Sequence, residues 1–252
     1  MGYEIEYYCV SHIGNCRKSN QDNFYCNGKY LYIGTKGTKK TIHGSVKPSD
    51  SAIFGIFDGM GGEEKGEVAA YIAAKNIMKV SFTDNPKDTF DEYCKQANAE
   101  ICNYTKRHQL TSMGTTMAVL LLHKKKISLC NIGDSKIFLL SNNELQQISY
   151  DHVLFSINGR KPPLTQNLGI PEEELTLSPY YAEGEYHNND VYLICSDGLS
   201  DMVPVEELKQ ILTTASPDTA SELLLQSALG HGGKDNITFI VLYIKKKSLF
   251  HI

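Results

Sequence analysis

Ile53-Phe54-Gly55-Ile56-Phe57-Asp58-Gly59-Met60-Gly61-Gly62 is an apolar, strand-like run that stops on a carboxylate and then on three glycines. The pattern returns twice. Val191-Tyr192-Leu193-Ile194-Cys195 runs into Ser196-Asp197-Gly198, and Ile127-Ser128-Leu129-Cys130-Asn131-Ile132 runs into Gly133-Asp134-Ser135. A carboxylate beside a core is costly unless it protonates or meets a cation. The nearest lysines in sequence are Lys136 and Lys234, so a hard metal ion is the expected partner. Mg²⁺ and Mn²⁺ accept oxygen-only ligation completed by water. A single Asp-Gly after a strand is more often a hairpin turn than a ligand. Recurrence along the chain, with Asp22 and Asp235 as further candidates, favours a shared metal site. The glycines after Asp58 exceed what a two-residue turn needs, and they let backbone approach a ligand closely.

Around these acids the chain reads as strands at residues 53–57, 115–122, 127–132, 136–140, 191–195 and 237–244. Short polar links at 122–127 and 141–144 read as hairpins, so the strands are expected to be mostly antiparallel. Helical patterns occupy residues 63–80 and 86–107. The first carries Val68, Tyr71, Ile72 and Met78; the second places Phe90, Tyr93, Cys94, Ala97, Ile101 and Tyr104 on one stripe after the start signal Asn85-Pro86. Two more helices are expected near 205–212 and 218–229, with Gly230 ending the last. Strands, helices, strands, helices and a final strand imply α+β layering.

Composition narrows the function classes. With 252 residues, 41% hydrophobic and 21% charged, the chain suits a globular domain with a substantial core. A net charge of -4 argues against nucleic acid as a main partner. No apolar run approaches a membrane span and no secretory signal is visible. Seven cysteines without metal-type spacing fit a reducing cytoplasm. The eight histidines are scattered, which speaks against a histidine-rich zinc hydrolase. No Gly-x-Ser-x-Gly elbow, Cys-x₅-Arg loop, Walker loop or Gly-x-Gly-x-x-Gly fingerprint is present. A dinuclear oxygen-ligated site most often hydrolyses phosphoesters, and elimination leaves metal-activated water as the nucleophile. Arg17, in Gly14-Asn15-Cys16-Arg17-Lys18-Ser19-Asn20-Gln21-Asp22-Asn23, could offer a phosphate two parallel hydrogen bonds or be a surface charge; Asp22 could be an Asx-turn residue.

Six motifs in order carry a resemblance: Arg17-Lys18-Ser19-Asn20-Gln21-Asp22, Asp58-Gly59-Met60-Gly61-Gly62, Met113-Gly114-Thr115-Thr116, Ile132-Gly133-Asp134-Ser135, Ser196-Asp197-Gly198-Leu199 and Asp235-Asn236-Ile237-Thr238. The chain resembles the metal-dependent protein phosphatases of type 2C, in their short bacterial form, over residues 11–243. The resemblance implies one catalytic domain over 1–252, a four-layer αββα sandwich of two antiparallel sheets with helix pairs on the outer faces. It implies a phosphoserine/phosphothreonine phosphatase with two core Mn²⁺ or Mg²⁺ ions and direct attack by a metal-bridging water. By motif position Asp58 would bridge both ions, Gly59 would offer its carbonyl, and Asp197 and Asp235 would bind the other ion. Asp134, with Asp197, would hold a third. Asp22 would act through coordinated water, and Arg17 would grip the phosphate.

Three departures stand out. Met60 occupies a position where some members carry a histidine that protonates the leaving group. Asp151-His152 is followed by a flap shortened to about 152–164, and Gln166-Asn167 replaces a usual Arg-Ala pair. Residues 27–51 are longer than a hairpin and are expected as an extended loop beside the site. Expected partners are phosphorylated proteins made by an opposing Ser/Thr kinase, with no nucleic acid and no membrane. A monomer is expected, because no coiled-coil seam asks for a partner. Two other readings are a phosphatase of small phosphoesters and a phosphoprotein-binding pseudophosphatase; missing ligands would mark the latter, and all five aspartates are present.

Overall fold

A computed structural model describes residues 2–35, 38–47, 51–60, 65–80, 85–155 and 162–246. In chain order the strands are β1 (Tyr3–His12), β2 (Asn23–Cys26), β3 (Lys39–Val46), β4 (Ala52–Phe57), β5 (Gly59–Met60), β6 (Gly114–Thr115), β7 (Met117–His123), β8 (Lys126–Ile132), β9 (Lys136–Ser141), β10 (Glu144–Gln147), β11 (Tyr180–Glu185), β12 (Val191–Cys195) and β13 (Ile237–Lys246). The helices are α1 (Gly66–Asn76), continued by a 3₁₀ turn at Ile77–Lys79, α2 (Pro86–Arg107), α3 (Asp197–Ser200), α4 (Val205–Thr214) and α5 (Pro217–Gly230).

One sheet runs β10-β9-β12-β13-β1-β3 and the other β11-β8-β7-β4-β2. Every pairing is antiparallel. The apolar runs are continuous because the central strands are buried on both faces, and the alternation of side chains sorts them into layers. In β4, Ala52, Phe54 and Ile56 point between the sheets, while Ile53 and Phe57 meet α1 and α2. In β13, Ile240, Leu242 and Ile244 fill the same middle layer, while Phe239, Val241 and Tyr243 meet α4 and α5. The result is the expected αββα sandwich, with three apolar layers.

Local chemistry explains the connections. Asn142 and Asn143 both take positive φ, 50° and 64°, as the tight turn between β9 and β10 requires. The stripe of α2 is buried as expected, and Tyr93 Oη donates to the Ala73 carbonyl of α1 at 2.8 Å. Met78 departs from the expectation: it lies in the 3₁₀ turn and is 58% exposed. The strand expected at 115–122 breaks at Thr116 into β6 and β7.

Six strands were not expected: β1, β2, β3, β5, β10 and β11. Three of them, β3, β10 and β11, lie at sheet edges with half-solvated patterns, so no apolar run announces them. The extended loop expected at 27–51 is corrected accordingly. Its second half is β3, paired to β1 from Ile5↔Val46 to His12↔Lys39. The expected short flap is bounded by a bridge between Val153 and Leu164, and its residues 156–161 lie outside the described residues.

Candidate active site

The motif residues gather at one end of the sandwich, where β4, β12 and the start of β13 finish beside the 13–22 segment. Asn236 is the clamp. Its Nδ2 donates to the carbonyls of Ile13 at 2.8 Å and Ser19 at 3.0 Å, and its Oδ1 accepts the Gln21 N–H at 2.8 Å. Residues more than two hundred positions apart are thereby locked together. Gly198 completes the join, because a Cβ there would collide with the Asn236 carbonyl. A Cβ on Gly59 would likewise collide with the carbonyls of Gly66 and Gln21, so the Asp58 turn is pressed against both segments.

Asp22 is 4% exposed and accepts a hydrogen bond from Ser196 Oγ at 2.9 Å. Burial pushes its carboxyl up to about 7, against hydrogen bonds from the Thr238 and Ser196 hydroxyls. The Asx bond in this turn is made by Asn20, whose Oδ1 accepts the Asp22 N–H at 3.1 Å. Asp22 is therefore not the turn former; its side chain faces the other acids. Asp197 and Asp134 are each 7% exposed, and Asp58 is half-buried. Thr116 Oγ1 accepts the Asp58 N–H at 3.0 Å and lies 2.6 Å from Ser135 Oγ, which links the Asp58 turn to the Asp134 turn. Lys136 is committed to an ion pair with Asp151.

Arg17 lies against Asp235, with Nε to Oδ1 at 2.8 Å and Nη2 to Oδ2 at 2.6 Å. That contact raises the guanidinium pKa, and Asp58 and Asp22 add to the pull, so the cation sits among the acids. The residue expected to grip phosphate and one expected to hold metal thus engage each other. Among the described residues, no three His, Cys, Asp or Glu side chains converge into a ready-made ligand cluster. The donors nonetheless fit hard divalent ions in kind. Every expected ligand is an oxygen, and Asp22 is a deeply buried carboxyl that a neighbouring cation would keep ionised.

Ser196, Thr116, Ser135 and Asn236 had no role assigned from sequence, although each stands inside one of the six motifs. Their side chains orient the acids. For Ser196, Ser135 and Asn236 the available signal was a hydroxyl or amide immediately beside a motif aspartate; Thr116 has no such neighbour.

A profile of the protein phosphatase 2C family matches residues 41–227. That span contains Asp58, Asp134 and Asp197, while Arg17, Asp22 and Asp235 lie beyond it on the chain ends that Asn236 clamps. The serine/threonine phosphatase Stp of Listeria welshimeri is 28% identical over 207 residues, 74% of this chain and 82% of that protein. The protein phosphatase PhpP of Streptococcus pneumoniae is 26% identical over 265 residues, covering 96% of this chain and 99% of that one. The catalytic domain of the phosphatase PstP, solved in complex with two manganese ions, superposes with a TM-score of 0.77 at 26% identity, over 97% of this chain and all of that domain. Sandwich, carboxylate-ended strands and matched span agree: this chain belongs to the protein phosphatase 2C family.

Proposed function

We propose that the chain is a Mn²⁺- or Mg²⁺-dependent phosphatase that removes phosphate from phosphoserine and phosphothreonine in proteins. The observation that carries this is the placing of Asp22, Asp58 and Asp235 around one guanidinium at a single end of the sandwich. Asp58, the Gly59 carbonyl, Asp197 and Asp235 would hold two core ions, and Asp134 with Asp197 would hold a third. Two bound ions lower the pKa of a water between them and stabilise the charge of an in-line displacement. Asp22, held by Ser196, would act on the ions through coordinated water. Arg17 exchanges Asp235 for the substrate phosphate, which accepts the same two parallel N–H bonds. Met60 has no proton to give, so it does not protonate the leaving alkoxide.

The whole chain acts as one catalytic domain in this reading, with a short flap near 152–164. Its partners are phosphoproteins made by an opposing Ser/Thr kinase, and it works as a monomer. We place it in the cytoplasm, a reading supported by seven free cysteines, five of them buried. No helix among the described residues is long and apolar enough to cross a membrane.

The test is phosphate release from a phosphothreonine peptide with Mn²⁺, Mg²⁺, Ca²⁺ or EDTA, for the wild type and Asp197→Asn. Turnover is expected only with Mn²⁺ or Mg²⁺ and is expected to vanish in the variant. No turnover from folded, Mn²⁺-loaded protein would move the reading to phosphoprotein binding without hydrolysis.

A further inference from the structure

A groove lined at one end by Met60, two residues after Asp58, encloses about 660 Å³. One wall is the exposed flank of α2, with Lys95, Cys102 and Lys106; the other is the segment 169–177. Two features join the far wall rigidly to the site. Thr115 and Leu168 exchange backbone hydrogen bonds at 3.0 and 2.9 Å, and Asp58's carbonyl accepts from Thr115 Oγ1 at 3.0 Å. Asn98 of α2 then ties the walls together: its Nδ2 donates to the Ile170 carbonyl at 2.9 Å, and its Oδ1 accepts the Gly169 N–H at 2.6 Å.

The walls carry opposite charge. Glu172, Glu173 and Glu174 sit consecutively and exposed on a turn closed by two hydrogen bonds to the Pro171 carbonyl, at 2.9 Å from the Glu174 N–H and 3.1 Å from the Leu175 N–H. Glu173 and Glu174 lie close enough to Cys102 to help burial raise its thiol pKa, so they face the middle of the α2 wall. Lys95 and Lys106 stand eleven residues apart, roughly 16 Å along a helix that rises 1.5 Å per residue. The negative charge is concentrated at mid-groove, and the positive charge is split between the ends. The length matches about five residues of extended chain at 3.3 Å each.

We propose that this groove seats the polypeptide flanking the phosphorylated residue, and that the Glu172–174 turn selects substrates with arginine or lysine within about five residues of it. The inference rests on the phosphatase reading and names the substrate class for that site. A phosphoester without a polypeptide occupies only the carboxylate end and does not meet the glutamates.

The test compares phosphothreonine peptides bearing three arginines or three glutamates, placed on the N-terminal or the C-terminal side, with p-nitrophenyl phosphate as the small substrate. The enzymes are the wild type and the triple reversal Glu172→Lys, Glu173→Lys, Glu174→Lys, an exposed turn whose change leaves the core intact. The wild type is expected to prefer the arginine peptide by about tenfold in kcat/KM on at least one side, with the preference shrinking at high salt. The reversal is expected to erase or invert that ratio while p-nitrophenyl phosphate hydrolysis stays within about twofold. Equal use of all peptides by the wild type, or an unchanged ratio in the reversal, would overturn the inference. If Mn²⁺-loaded protein hydrolyses neither peptides nor p-nitrophenyl phosphate, the phosphatase reading fails and takes this inference with it.

Discussion

The Asp58 turn and the Asp197 turn start from the same sequence device and end as different structures. Each follows a fully buried central strand, β4 or β12, and each is an Asp-Gly whose glycine is pressed against foreign backbone. After Asp58 the chain continues extended as β5, pairs with Gly114 and opens onto the groove at Met60. After Ser196 the chain coils at once into α3, and Asp197 is 7% exposed. One side is wet and opens on the groove; the other is dry and braced by Ser196, which also accepts the Thr238 N–H at 3.0 Å. An apolar run ending in Asp-Gly thus announces a carboxylate at a sheet end, without announcing what that carboxylate faces.

The largest expected effect tests whether both sides hold metal. Asp58→Asn and Asp197→Asn should each lower kcat by about 10²–10³-fold or more, as loss of a transition-state charge stabiliser does. Mn²⁺ titration by calorimetry sharpens the contrast: Asp58→Asn should impair both core sites, whereas Asp197→Asn should spare one. Two intact sites in Asp197→Asn would remove the dry side from the metal centre.

Next comes Arg17→Ala. Loss of two charge-assisted hydrogen bonds to phosphate should cost about 10–100-fold in kcat/KM. The same change removes a cation from Asp235, so Mn²⁺ should bind more tightly. Weaker Mn²⁺ binding would show that the Arg17–Asp235 pair supports the metal site rather than competing with it.

Smaller effects are expected from the glycines, read as stability by chemical denaturation. Gly59→Ala and Gly198→Ala each drive a Cβ into a carbonyl, and each should cost about 1–3 kcal/mol. A neutral result at either position would mean that its turn has room to relax.

The smallest effects belong to the braces. Thr116→Val on the wet side and Ser196→Ala on the dry side each leave a buried hydrogen-bonding group without its partner, at about 1–2 kcal/mol. Ser196→Ala should also cost more activity, about tenfold, because its hydroxyl holds Asp22. Equal loss of activity in the two variants would erase the distinction between the sides.

Much of this was legible in the chain. The apolar runs at 53–57, 127–132, 191–195 and 237–244 became central strands, because burial on both faces leaves an uninterrupted hydrophobic signal. The range of α2 was readable to the residue from its stripe and Asn85-Pro86. The edge strands were not readable, since a half-solvated strand such as Lys39–Val46 needs no apolar pattern and takes its conformation from pairing with β1. The motif residues could be named from the sequence, but not their partners.

Sequence by itself determined the class of chemistry: acids on strand ends, glycines beside them, and one arginine, in an order shared with a phosphatase family. Those choices are local, imposed by burial and by backbone that tolerates no Cβ. Tertiary structure alone decided that Arg17 meets Asp235, that Asn236 binds Ile13, Ser19 and Gln21, and that α2 faces Glu172–174 across a groove. Each of these joins segments far apart in the chain. Such contacts follow from strand order and sheet packing, which no local pattern encodes.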